Sequence, residues 1–151
     1  MSGTWPLARA GIKTVIHGLT VTSPWAETLT AFEYPTPGVQ MGSLPYAIII
    51  PASRTVRRLP SSTRETVVDV RVRVFLSGPD GVTGEDLARR YDAWADRLVL
   101  AFDAAIALDG NADIFLEQRF DGLAYYEPEK LWGFEMELGG VRITEVITPG
   151  A

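Results

Sequence analysis

The chain has 151 residues, 46% of them hydrophobic and 22% charged, with no cysteine and a formal net charge of −5. This composition excludes a disordered chain, a disulfide framework and a thiolate metal site, and the length suits one domain, residues 1–151, with a sizeable core. The acidic balance argues against general nucleic-acid binding, and neither a bilayer-spanning run nor a basic-then-apolar leader is visible.

Thr4 is expected to cap a first helix, with Pro6 in its opening turn where the missing N–H costs nothing. Ala8, Ile12, Val15, Ile16 and Leu19 follow helical spacing and should face the core, while Arg9, Lys13 and His17 fall four apart on another face. Gly18 is the expected stop. Thr20 to Thr30, with Pro24 and Trp25, reads as a loop. Leu29 to Tyr34 reads as a short strand cut by Pro35-Thr-Pro37-Gly38.

Tyr46 to Ile50 is a short apolar strand. An arginine-rich loop, Arg54 to Arg64, is expected to join it to a long strand. That strand places Val68, Val70, Val72 and Val74 on one face against Asp69, Arg71 and Arg73 on the other. Ser77-Gly-Pro-Asp-Gly81 reads as the turn that ends it. Thr83 should cap the major helix, with Glu85 and Asp86 in its first turn where they suit the dipole. Leu87, Tyr91, Trp94, Leu98, Phe102 and Ala105 form an apolar stripe, opposite Arg89, Asp92, Asp96 and Asp103. Asp109-Gly110-Asn111 is the expected end of this helix. Beyond it, Ile114, Leu116 and Phe120 alternate, and Asp121-Gly122 reads as a hairpin turn into Leu123 to Tyr126. Trp132, Phe134, Met136 and Leu138 share a strand face, opposite Glu135 and Glu137. Gly139-Gly140 is expected to turn that strand into another carrying Val141, Ile143 and Ile147. Consecutive hairpins predict an α+β fold: a mainly antiparallel sheet with two helices, the long one packed on one face.

Charge is unevenly spread. Residues 51–73 carry six arginines against Glu65 and Asp69, and residues 80–146 carry fifteen acids against six bases. A basic segment on an acidic body suits an acidic partner surface, including a second copy of the chain. Arg54, Arg57, Arg58 and Arg64 are therefore interface candidates. Val99 and Leu100 join them, because Leu98 to Phe102 is apolar nearly all round, and a surface helix with such a turn needs a cover.

Little else suggests chemistry. His17 is the only histidine, and no serine or acid stands at a useful local spacing for a catalytic triad. Asp92, Asp96 and Asp103 alternate with Arg89 and Arg97, as on a solvated helix face rather than a metal site. Gly78 to Gly84 lacks the lysine and spacing of a phosphate loop. No enzyme activity, cofactor or metal is expected.

The order of the pieces resembles the tail terminator proteins that cap the tail tube of long-tailed phages. An N-terminal helix is followed by LPYAIIIP before an arginine-bearing loop, then the long TVVDVRVRVFLSG strand, then a single amphipathic helix opening TGEDLARRYDAWADRL, and terminal hairpins through LWGFEMELGGVRIT. The resemblance implies a small α+β protein of the virion tail or neck, assembled in the host cytoplasm as a homohexameric ring. Its implied partners are the tail tube protein, the head-tail connector protein, and DNA that passes through the lumen without specific binding; no membrane is implied. A head-completion or stopper protein of the connector, or a small-molecule-binding α+β domain, are the alternatives.

Overall fold

The computed structural model describes residues 4–34, 44–60, 62–79, 83–105, 117–127 and 129–146. In chain order the elements are helix α1 (Thr4–Ile16), strands β1 (Thr20–Val21), β2 (Glu27–Thr28), β3 (Thr30–Phe32), β4 (Tyr46–Leu59) and β5 (Thr63–Ser77), helix α2 (Gly84–Asp103), and strands β6 (Glu117–Phe120), β7 (Ala124–Tyr126) and β8 (Leu131–Val146). The class is α+β. The main sheet runs β3-β4-β5-β8-β6, with β7 also paired to β8, and every pairing is antiparallel except β3 with β4. The segment expected to be a loop, Thr20 to Thr30, contains the small β1–β2 ribbon.

Both helices cover one face of the sheet. Ala8, Ile12 and Ile16 of α1 and Trp94, Leu98 and Phe102 of α2 are fully buried, as helical spacing predicts, against Val70, Val72, Val74, Phe134, Met136 and Leu138. On the opposite face a smaller cluster joins Tyr46, Ile48, Phe75 and Leu131. Gly18, with φ of +84°, ends α1. The Thr83 hydroxyl accepts the Asp86 N–H at 3.1 Å and caps α2. The helix stops at Asp103, six residues before the expected Asp-Gly-Asn. Phe102 is its last buried side chain, and a carboxylate in the last turn opposes the helix dipole.

Three turn expectations are corrected. Gly139-Gly140 does not reverse the chain, because β8 runs through it from Leu131 to Val146. The pair is instead a bulge: Val68 pairs with Val141 but Val70 with Leu138, leaving one extra residue in β8, and Gly140 takes φ of +80°, a conformation glycine adopts without a Cβ penalty. Asp121-Gly122 is not a hairpin turn either. β6 and β7 do not pair with each other; both run antiparallel along the same side of β8, and the Asp121 N–H bonds the Glu135 carbonyl at 2.9 Å. The dipeptide interrupts one edge, since Phe120 and Leu123 both pack on the same core. The arginine segment, Arg54 to Arg64, is not a loop either, because its two ends belong to β4 and β5 and pair antiparallel. Ile114, Leu116 and Ile147 lie outside the described residues, as do Pro35 to Gly38.

Opposite charges meet across the two longest strands. Arg71 pairs with Glu137 at 3.5 Å and Arg73 with Glu135 at 2.7 Å, each pair directly opposite in the register.

Candidate functional site

The segment from Arg54 to Arg64 is a β-hairpin, not a loop. Arg54 pairs with Val68, Val56 with Thr66, Arg58 with Arg64 and Leu59 with Thr63. Ser62, with φ of 61°, stands just before β5, which suits a short turn with one left-handed residue. β8 continues alongside to Val146, so β4, β5 and β8 form a three-stranded arm. Charge density hides the strand period in the sequence. Thr55, Val56, Thr63, Thr66 and Val67 nevertheless supply the β-branched residues that favour it.

The register divides the four arginines between two faces, because side chains alternate along a strand. Arg54, Val56 and Arg58 share the face of Val68, with Arg64 directly beside Arg58. Arg57 lies on the other face, where it meets Glu65 at 2.6 Å, and Arg142 reaches the other oxygen of the same carboxylate at 3.9 Å. Arg54 and Arg58 make no ion pair among the described residues. Like charges directly across a strand pair are unfavourable, and the register places Glu145 of β8 opposite Arg64 on its other side. Every residue from Pro51 to Arg58 is exposed, and Val56 is 53% exposed. β3 reaches β4 only at Tyr46 to Ile48. Beyond it no described strand pairs with the outer side of β4. Proline and charged side chains on such an edge discourage strand addition.

Asp69 sets the direction of the arm. β4 gains one residue between Pro51 and Ser53, opposite the bulge in β8. One Asp69 oxygen accepts the Gly140 N–H at 3.0 Å, and the other accepts the Ser53 hydroxyl at 2.8 Å. One carboxylate on the central strand therefore fastens both bulges.

The second candidate pair lies on α2. Leu100 is 64% exposed and Val99 half-buried, so no described element of the chain covers Leu100. The exposed stripe of α2 comprises Glu85, Arg89, Asp92, Asp96, Leu100 and Asp103. Arg89 is taken by Glu85 at 2.7 Å. Asp103 accepts from the Gln118 amide at 2.9 Å, whereas Asp92 and Asp96 make no ion pair among the described residues. Beside Leu100 a shallow groove of about 310 Å³ runs along Thr20 to Ser23. The two candidate surfaces are not joined within one chain: neither Arg54 nor Arg58 reaches a carboxylate of α2.

His17 serves structure. Its Nδ1 accepts the Ala31 N–H at 3.0 Å, which fixes the tautomer with the proton on Nε2. Among the described residues no three His, Asp or Glu side chains converge as metal ligands. The polar feature that periodicity missed is a buried pair. Arg90 donates from Nε and Nη2 to both oxygens of Glu27, and from Nη2 to the Leu76 carbonyl at 2.6 Å. Helical phase signals it, since Arg90 stands three after Leu87 and four before Trp94, on the apolar stripe. Across the sheet, burial first and then the Glu135 charge push the Tyr126 phenol up to about 12, with the Arg73 guanidinium stacked 4.4 Å from its ring.

No protein-family model matches this sequence, and no curated protein matches it.

Proposed function

We propose that this chain is a structural subunit that assembles with copies of itself into a homohexameric ring, capping a phage tail tube as a terminator. Such a ring stops tube polymerisation and offers a surface to the head-tail connector, with no catalytic step and no cofactor. The order of sequence pieces supports this reading. The observation that carries it is the arm: eight consecutive residues, Pro51 to Arg58, are exposed on a strand that extends the central sheet. A hairpin anchored by two long strands costs much ordered backbone, and a surface contact is what repays that order. The acidic balance of the chain suits a lumen that lets DNA pass without holding it, since retention needs a basic lining.

Mass photometry and negative-stain imaging of the purified chain test the ring, and addition to purified tail tubes tests capping. Rings of six that bind one end of a tube and halt its growth are expected. A chain that remains monomeric or dimeric, and leaves tube growth unchanged, refutes the reading.

A further inference from the structure

We infer that neighbouring copies of this chain join through two different faces: Arg54, Val56 and Arg58 on the arm of one copy, and Asp96, Leu100 and Asp103 on α2 of the next. This rests on the reading of the chain as a self-assembling subunit and names the surfaces that do the assembling.

The two faces match in order and in sign. Arg54, Val56 and Arg58 occupy alternate positions on one side of β4, so the outer α-carbons stand about 13 Å apart at the rise of a strand. Asp96, Leu100 and Asp103 follow at i, i+4 and i+7 on one side of α2, spanning about 10 Å at the rise of a helix. The reach of an arginine side chain covers the difference. Each face sets an exposed apolar side chain between two charges, Val56 at 53% and Leu100 at 64% exposure. The charges are opposite, and Arg54, Arg58 and Asp96 have no ionic partner among the described residues. Asp92 adds to the negative side, so Asp92, Asp96 and Asp103 still outnumber Arg97 on the groove wall, three charges to one. The groove beside Leu100 gives Val56 and its strand a recess, and arginine suits the flanks because its planar fork binds carboxylates with two parallel bonds.

The contact uses a face of β4 rather than its edge, since Pro51 and the arginines guard that edge against strand addition. Because the two faces are unlike, the contact is head-to-tail: each copy offers one face and accepts on the other, and the series closes into a ring when the rotation between copies allows.

Two charge-reversed variants test this, Arg54→Glu with Arg58→Glu, and Asp96→Arg with Asp103→Arg. Each alone should sediment as a monomer at concentrations where the parent is assembled, because both of its contact faces then carry one sign. Mixed in equal amounts, the two should reassemble, with reversed arm meeting reversed helix in alternation; this restoration also shows that each variant is folded. If both variants assemble alone as the parent does, the inference is overturned and the ring reading stands. If reversal abolishes assembly and mixing restores it, but the parent forms open chains rather than rings, the inference stands and the ring reading falls. A parent that remains monomeric at all concentrations overturns both.

Discussion

Replacing Arg90 with methionine should be among the most damaging single changes in this protein. The side chains of Arg90 and Glu27 are only 6% and 5% exposed, so neither charge can turn to water when its partner is lost. Removing the guanidinium leaves the Glu27 carboxylate with the Trp94 indole N–H, at 3.4 Å, as its remaining side-chain donor among the described residues, and strips the Leu76 carbonyl of its arginine. Breaking one side of a buried pair costs about 3–5 kcal/mol, against about 0–1 kcal/mol for an exposed pair such as Glu85–Arg89. In a domain whose whole stability is of order 5–15 kcal/mol, that is a drop of roughly 10 °C in Tm. The double variant Arg90→Met, Glu27→Leu removes both charges and leaves only neutral groups short of partners, at about 1–3 kcal/mol. It should therefore be more stable than Arg90→Met alone. Chemical denaturation with matched m-values reads all of these. If Arg90→Met costs under about 1 kcal/mol, or the double variant costs the sum of the two singles, Arg90 and Glu27 do not act as one buried unit.

Gly133→Ala should cost about 3 kcal/mol, because its Cβ would lie 2.1 Å from the Val74 carbonyl oxygen, near the end of the β5–β8 pairing where Gly133 faces Phe75; a denaturation midpoint equal to the parent's would contradict that close approach. Asp69→Ala should cost about 1–3 kcal/mol and expose the Gly140 amide to faster hydrogen exchange, as both bulges lose their acceptor; unchanged protection at Gly140 would show that the bulge holds without it. Tyr126 holds its proton more tightly folded than unfolded, about 12 against 10.0. Its contribution to stability is thus complete below pH 10 and lost as pH rises from about 10 to about 12. Tyr126→Phe should remove the most alkaline step from a phenolate absorbance titration, and a titration in which that step persists would assign it to another tyrosine.

The helices were legible because each buries one continuous stripe, so Ala8, Ile12 and Ile16, and Trp94, Leu98 and Phe102, repeat at the helical period. The valines of β5 were legible for the same reason at period two. The arm was not. From Pro51 to Arg58 neither face of β4 is covered, so no apolar period marks it, and Pro60 with its serines draws the eye to a loop. Glycine pairs misled in a related way: Gly139-Gly140 has the chemistry of a turn and serves as a bulge, a choice made by Asp69 on a neighbouring strand. Of the interface candidates, the residues themselves were readable, but their division was not. The pairing register alone separates Arg57, held by Glu65, from Arg54 and Arg58. Leu100 was expected to be covered, and within one chain it is exposed.

The two neighbours of β5 reach it by very different routes. β4 closes through a tight tip, whereas β8 must return past α2, β6 and β7 before Ser77 meets Trp132 and Thr63 meets Val146. Pairing over such a separation pays its loop-closure cost before any contact repays it, and so governs the folding rate. During that delay one side of β5 stands open with its valines, a template for another nascent chain. Arg71 and Arg73, alternating with those valines, act as gatekeepers: two waiting copies repel each other. Glu137 and Glu135 remove that repulsion when β8 docks, and they do so in only one register. The same two ion pairs thus protect the unfinished sheet and select the strand that completes it.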